Sequence, residues 1–152
     1  MGSEMCIRDS SKTISLIENH KDFKNIKIIK DFPESLPLIM LDRDQIQQVF
    51  MNLLVNAQEA MPRGGSIYIT ANLTQDKKYI QVLFSDTGIG ISEENLNRIF
   101  DPFFTTKEKG TGLGLSIVLG IVENHGGELE VKSRIGEGTT FIIKLPTEQE
   151  GE

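Results

Sequence analysis

Apolar residues recur along this chain with two different periods, which separate predicted strands from predicted helices. Alternation of apolar and polar positions, or a short apolar run, predicts a strand in each of six segments. These segments are residues 26–30, 38–41, 66–72, 79–85, 128–133 and 139–145. The polar turn at 74–78 and the glycines at 136–138 predict that the last four form two hairpins.

Helical periodicity appears in two longer segments. Asp42 with Gln45 three residues later resembles a capping box, and an apolar stripe then continues to Met61 before Pro62. A second apolar segment begins at Leu113 and ends at His125, whose side chain we expect to cap the helix C-terminus rather than to bind a ligand. Residues 92–100 predict a short capped helix, and residues 11–22 the end of another.

The order of these elements predicts the fold class. It is an α/β (α+β) sandwich, in which a mixed, mostly antiparallel sheet of about five strands carries about three helices on one face. A chain of 152 residues is long enough for one domain with a real core.

Composition excludes several classes of protein. The net charge of -6 argues against a general nucleic-acid or anionic-membrane binder. No apolar run approaches the ~20 residues that span a bilayer. Because Cys6 is the single cysteine, there is no internal disulfide and no multi-cysteine metal site.

Two glycine clusters indicate a nucleotide site. Asp86 follows a predicted buried strand and precedes Gly88 and Gly90, in a turn that a Cβ would crowd. A second cluster, residues 110–114, opens the helix that follows, where backbone N–H groups and the helix dipole favour an anion. Neither G-x-x-x-x-G-K-[ST] nor G-x-G-x-x-G after a strand is present, so neither common phosphate motif applies.

The first long helix has a polar face that is rich in amides. This face carries Gln45, Gln48, Asn52, Asn56 and Glu59. Asparagine is a mediocre helix former, so two of them in mid-helix require a reason. One alternative is a merely solvated face. Beside the glycine clusters, we expect the amides to face the nucleotide, and an amide oxygen suits Mg²⁺.

These motifs together resemble the N, G1, F and G2 boxes of sensor histidine kinases. They are Asn52 and Asn56 with their helix, Asp86-Thr-Gly-Ile-Gly, Phe100-Asp-Pro-Phe-Phe and Gly110-Thr-Gly-Leu-Gly-Leu, and Gly136-Glu-Gly-Thr-Thr-Phe matches a last box. The resemblance covers about residues 25 to 146. It implies the Bergerat-type ATP-binding fold of the gyrase, heat-shock chaperone, histidine kinase and mismatch-repair superfamily.

The resemblance also implies which residues form the site. Asp86 would accept a hydrogen bond from the adenine amine, Thr139 would lie beside it, and Asn56 would hold Mg²⁺. Asn52 and Lys107 are expected to be catalytic. The expected nucleotide-binding residues are Asn52, Asn56, Asp86, Gly88, Gly90, Phe103, Thr106, Lys107, Gly110, Thr111, Gly112, Leu113, Gly114, Leu115 and Thr139.

Residues 101–109 are expected to form a lid over the nucleotide. Its phenylalanines, Phe103 and Phe104, would anchor the hinge, and Lys107 and Lys109 would lie near the phosphates. The alternative for both lysines is plain solvation.

The N-terminal residues are expected to lie outside the domain. Residues 1–10 resemble the translation of a transposase adapter used in DNA library preparation, so we predict them to be dispensable. Residues 11–24 would be the end of a dimerisation-hairpin helix and a linker, with too few apolar residues for a core. The ATP-binding domain would occupy 25–146 and a disordered tail 147–152. His20 lacks the context of a phosphoacceptor, because Lys21 rather than an acidic residue follows it.

The function implied is that of a histidine kinase catalytic domain. It would bind ATP with Mg²⁺ and pass the γ-phosphoryl group to a histidine on a dimerisation hairpin, from which a response regulator receiver domain takes it. The full-length protein would be a cytoplasmic or membrane-anchored homodimer, and this chain a monomer. The alternatives are an ATPase or chaperone, an anti-sigma serine kinase, or a degenerate ATP-binding module. ATPase relatives carry a glutamate where Asn52 stands, which favours the kinase.

Overall fold

The computed structural model describes residues 3–104 and 114–147, which form seven strands and four α-helices. The strands are β1 (Ser3–Cys6), β2 (Ile26–Asp31), β3 (Leu38–Leu41), β4 (Gly65–Leu73), β5 (Tyr79–Asp86), β6 (Glu128–Arg134) and β7 (Gly138–Pro146). The helices are α1 (Ser11–Glu18), α2 (Arg43–Glu59), α3 (Glu93–Leu96) and α4 (Gly114–Asn124).

The main sheet has five strands in the order β2-β4-β5-β7-β6. Only β2 and β4 run parallel, and the other neighbours are antiparallel. Alternate residues of β5, such as Ile80, Val82 and Phe84, are buried under the helices. The Phe84 ring meets Phe50 of α2 edge-on, with centroids 4.9 Å apart. The predicted mixed, mostly antiparallel sheet with helices on one face is therefore confirmed.

Helix α2 begins where its cap predicts. The Asp42 carboxylate accepts a hydrogen bond from the Gln45 backbone N–H at 3.0 Å, and this bond lowers the pKa of Asp42. The apolar stripe is buried from Ile46 to Ala57. This packing fixes which face of α2 is left for the polar stripe.

His125 joins the end of α4 to the start of α2. Its Nδ1 lies 2.8 Å from the Ile121 carbonyl oxygen, which can only accept, so Nδ1 carries the proton. Its Nε2 accepts the Asp42 backbone N–H at 3.0 Å. The predicted capping role is confirmed, and the bond to Asp42 adds a cross-link between the two helices.

Residues before Ser11 pack against the domain, so the prediction that they lie outside it is wrong. Strand β1 pairs antiparallel with β3, from Ser3 opposite Leu41 to Cys6 opposite Leu38. A 3₁₀ turn at Ile7–Ser10 follows, in which the Ile7 side chain is 0% exposed. Apolar side chains at these positions are buried because β3 and α2 offer them a surface. The resemblance to an adapter stays a prediction about their origin.

Helix α1 also belongs to the core, against the expectation for residues 11–24. Ile14 and Ile17 are buried in the same cluster as the α2 stripe, and Lys30 of β2 forms an ion pair with Glu18 at 3.2 Å. Leu16 faces the other way and is 79% exposed. A few apolar residues suffice here because α1 adds to a core that the sheet has already formed.

Two smaller boundaries differ from prediction. Helix α3 is a single turn capped by Ser92, shorter than 92–100, although Ile99 beyond it is buried. Thr147 is not part of a loose tail, because its N–H and hydroxyl donate to the carbonyls of Lys78 and Lys77, both at 2.8 Å. The rest of the predicted tail, 148–152, lies outside the described residues.

Candidate functional site

Asp86 is a buried carboxylate at the end of β5. It is 7% exposed, and its Oδ1 accepts the Gly88 backbone N–H at 2.8 Å. Burial raises the pKa of Asp86, while the backbone N–H groups of Gly88 and Thr139 act in the opposite direction. A carboxylate kept in this setting is a strong hydrogen-bond acceptor that has few protein donors.

The loop after Asp86 is held between α2 and the β6–β7 turn. Ile89 donates its N–H to the Ala60 carbonyl at 3.0 Å, and its own carbonyl accepts the Gly136 N–H at 2.8 Å. At Gly90, with φ of 78°, a Cβ would lie 2.0 Å from the Arg134 carbonyl oxygen. At Gly88 it would lie 2.6 Å from the Ala60 oxygen. Both glycines are therefore required by close backbone approach.

Thr139 lies directly opposite Asp86 on β7, so both side chains share the helix-covered face of the sheet. Thr139 is buried, and its hydroxyl is 2.7 Å from the Ser133 hydroxyl on β6. Ser133 also accepts the Ile91 N–H at 2.7 Å. Asp86, Thr139 and Ser133 thus form one row across three strands.

The amides of α2 lie beside the start of α4. Asn52 donates from Nδ2 to the Gly114 carbonyl oxygen at 3.3 Å. Asn56 is half-buried one turn later on the same face of α2. A Cβ at Gly114 would meet no described atom within 4 Å, so protein packing in the described chain does not require this glycine. Leu115, also a predicted site residue, is half-buried against the core.

The predicted hinge of the lid is only partly correct. Phe104 packs against the core, with the Arg98 guanidinium 4.6 Å above its ring centroid. Phe103 is 73% exposed and adopts φ of 68°, so it does not anchor the segment. The other predicted residues of this region lie outside the described residues: Thr106, Lys107, Lys109, Gly110, Thr111, Gly112 and Leu113.

Sequence reasoning did not select three residues that shape the site. Ala60 supplies the carbonyl that holds the glycine loop, and Ser133 links that loop to Thr139. Gly138, with φ of 87°, lets β7 approach β5, since a Cβ there would lie 2.0 Å from the Asp86 carbonyl oxygen. The motif Gly136-Glu-Gly carried a signal for Gly138, whereas nothing local in the sequence indicated Ala60 or Ser133.

The site therefore has a hydrogen-bond acceptor, the Asp86 carboxylate, at one end. At the other end it has the amides of α2 beside the N-terminus of α4. In 3–104 and 114–147 no group of three His, Cys, Asp or Glu side chains could hold a metal ion. Within the same ranges no helix is long and apolar enough to cross a membrane.

Comparison with protein families gives a match to the model described as histidine kinase-, DNA gyrase B-, and HSP90-like ATPase over residues 41–149. The chain is 41% identical over 140 residues to sporulation kinase E of Bacillus subtilis, covering 92% of this chain and 19% of that protein. It is 38% identical to the sensor histidine kinase ZraS of Escherichia coli, covering 88% and 28%. The chain therefore spans only a minor part of the length of these relatives.

Solved structures give the same likeness. The catalytic domain of histidine kinase ThkA superposes with a TM-score of 0.84 at 34% identity, covering 97% of this chain and 98% of that one. A structure of ThkA in complex with the response regulator protein TrrA gives a TM-score of 0.81 at 31% identity, covering 99% of this chain and 43% of that one.

Proposed function

This chain belongs to the family of histidine kinase-, DNA gyrase B-, and HSP90-like ATPases, and we propose that it is the ATP-binding catalytic domain of a sensor histidine kinase. The observation that carries the proposal is the buried Asp86 carboxylate, which lies opposite Thr139 at the end of the sheet. The loop that contains Gly88 and Gly90 packs closely against the backbone of Ala60 and Arg134, which holds it beside this carboxylate.

Adenine suits this end of the site. Its exocyclic amine donates a hydrogen bond that the Asp86 carboxylate can accept, whereas guanine presents a carbonyl oxygen at the same position. The phosphates would extend toward α4, where the helix N-terminus and the Asn52 amide lie close together. The fit rests on the buried Asp86 carboxylate, which the closely packed loop at Gly88 and Gly90 holds at the end of β5.

Isothermal titration calorimetry tests the nucleotide assignment. The chain should bind ATP and ADP in the presence of Mg²⁺ and bind GTP at least tenfold more weakly. This difference follows because guanine would place a carbonyl oxygen against a carboxylate. Equal affinities for ATP and GTP would contradict the adenine assignment.

We assign Mg²⁺ to the Asn56 side chain. An amide oxygen is a suitable ligand, and Mg²⁺ takes its other ligands from phosphates and water. The absence of a three-residue acidic or histidine cluster among the described residues fits such a sparse protein contribution. Asn56→Ala should weaken binding of Mg-ATP more than binding of ATP in EDTA, as measured by calorimetry under both conditions.

The γ-phosphoryl group would pass to a histidine on a dimerisation hairpin and then to a response regulator. Phosphoryl transfer needs mainly positioning and charge stabilisation. At the position where ATPase relatives carry a glutamate, Asn52 offers an amide, which is not a base near neutral pH. The second candidate, an ATPase of the same family, is therefore disfavoured by Asn52.

His20 is not expected to be the acceptor. It follows α1, and its Nδ1 accepts the Asp22 N–H at 3.2 Å, which caps a 3₁₀ turn. With γ-labelled ATP alone the chain should stay unlabelled. Acid-labile label that is lost in His20→Ala would overturn this expectation.

A further inference from the structure

The Ser133 hydroxyl has a complete set of hydrogen bonds, and this set fixes the direction of its neighbour. It accepts the Ile91 N–H at 2.7 Å and lies 2.8 Å from the Gly138 carbonyl oxygen. A carbonyl can only accept, so Ser133 uses its single hydrogen there. The remaining contact, 2.7 Å to Thr139 Oγ1, must then be donated by Thr139.

Thr139 therefore has no hydrogen left for a ligand. Its hydroxyl hydrogen points across the sheet to β6, and its free lone pairs face away from Ser133. Asp86, its direct cross-strand partner, also presents acceptor oxygens on the same face. The two groups together form a surface that accepts hydrogen bonds and offers none.

We propose that Ser133 is a specificity-determining residue, which selects an amino group over a carbonyl group on the bound base by holding the Thr139 hydroxyl as an acceptor. The inference rests on the proposed function, since it concerns the base of the nucleotide bound at Asp86. An exocyclic amine offers donors to this surface. A carbonyl oxygen at the same place would meet lone pairs, either directly or through one bridging water.

Inosine diphosphate is the sharpest probe, because hypoxanthine has a 6-carbonyl where adenine has the amine, together with a hydrogen on N1 that is the same in every variant tested. In Ser133→Ala the Thr139 hydroxyl becomes free to rotate and can donate to that carbonyl. Loss of the Ile91 N–H contact would loosen the loop for both nucleotides alike, so it cancels in the ratio of their dissociation constants. That ratio is therefore a readout that a merely structural role of Ser133 does not move.

The chain offers a matched control on the opposite face of the same sheet. The Ser85 hydroxyl lies 2.8 Å from the Thr140 hydroxyl, one residue from Asp86 and Thr139 on β5 and β7. Ser85→Ala removes the same kind of hydroxyl pair without touching the row that contains Asp86. It should leave the ratio unchanged.

Calorimetry with ADP and inosine diphosphate tests the proposal. The unmodified chain should prefer ADP, and Ser133→Ala should reduce the preference by roughly tenfold, the net size of about one hydrogen bond. Ser133→Thr should keep the preference, because threonine retains the hydroxyl. In a Thr139→Val background, Ser133→Ala should have no further effect, because no hydroxyl remains to be oriented.

An unchanged ratio in Ser133→Ala, or a further change in the Thr139→Val background, would overturn the proposal. If Ser133→Ala does not fold, the isosteric pair Ser133→Thr and Ser133→Val decides: only the valine variant should lose the preference, and equal ratios refute the proposal. Failure of the unmodified chain to bind either nucleotide would refute the proposed function instead, so the two failures are distinguishable.

Discussion

Replacing Asp86 by asparagine should change stability and nucleotide binding in opposite directions. The side chain keeps an oxygen that can accept the Gly88 N–H, so the loop geometry is preserved. The change removes the buried negative charge. Because desolvation raises the pKa of Asp86, the ionised carboxylate opposes folding at neutral pH.

The raised pKa of Asp86 also determines whether stability rises or falls with pH. The folded-state pKa of Asp86 lies above its ordinary value of 3.8, so the folded chain holds this proton more tightly than the unfolded chain. Its contribution to stability is fully present below 3.8 and is lost as the pH rises through the folded-state pKa. Asp86→Asn should lack this loss, and its melting temperature at pH 7 should therefore be higher.

Nucleotide binding should weaken in the same variant. A hydrogen bond to a charged group contributes about 1.5–3 kcal/mol, so replacing the carboxylate by an amide should weaken ADP binding roughly ten- to hundredfold. Thermal unfolding from pH 3.5 to 8 measures the first effect, and calorimetry with ADP measures the second.

Asp76 is a suitable control for Asp86. Hydrogen bonds from the Lys78 N–H and the Thr74 hydroxyl lower the pKa of Asp76, the opposite direction. Asp76→Asn should lower stability at pH 7 and leave ADP binding unchanged. A lower melting temperature in Asp86→Asn together with unchanged ADP affinity would contradict both the cost of burying the Asp86 charge and its proposed contact with adenine.

Three further predictions concern the N-terminal residues and the glycine loop. Ile7→Ala should lower the free energy of unfolding, measured by urea denaturation, by about 2–5 kcal/mol, because this side chain is fully buried. Ile7→Val should lower it by only about 0.5–1.5 kcal/mol, and equal losses would contradict the packing of this residue. Ser10→Ala should raise that free energy by roughly 1 kcal/mol, since the Ser10 hydroxyl is buried without a partner among the described residues; a decrease would reveal a hydrogen bond there. Gly90→Ala should lower both stability and ADP affinity, because its φ of 78° and the Arg134 carbonyl oppose a Cβ; unchanged binding would contradict the loop geometry.

Elements with long, regular patterns could be predicted from the sequence. The α2 stripe and the alternation in β5 repeat often enough to determine the period, and the cap at Asp42 fixes where α2 begins. Asp86 followed by two glycines was predicted to end a buried strand, and the structure has that arrangement.

Other features depend on contacts that are distant in sequence. The burial of Ile7 requires the surface that β3 and α2 provide, which no pattern within residues 1–10 encodes. The row that contains Ser133 depends on the register of β6 against β7. Alternation with a period of two shows which side chains share a face, but it does not distinguish registers that differ by two residues. The roles proposed for residues 105–113, which include Lys107, remain predictions because these residues lie outside the described ones.

The fate of the γ-phosphoryl group distinguishes a histidine kinase catalytic domain from an ATPase. The chain would be incubated with γ-labelled ATP and Mg²⁺, with and without a matching dimerisation hairpin, and both labelled protein and released phosphate would be measured. A histidine kinase catalytic domain should place acid-labile label on the hairpin and release negligible phosphate without it. A turnover near the enzyme-typical ~10 s⁻¹ without any acceptor, abolished by Asn56→Ala, would contradict the kinase assignment and identify an ATPase.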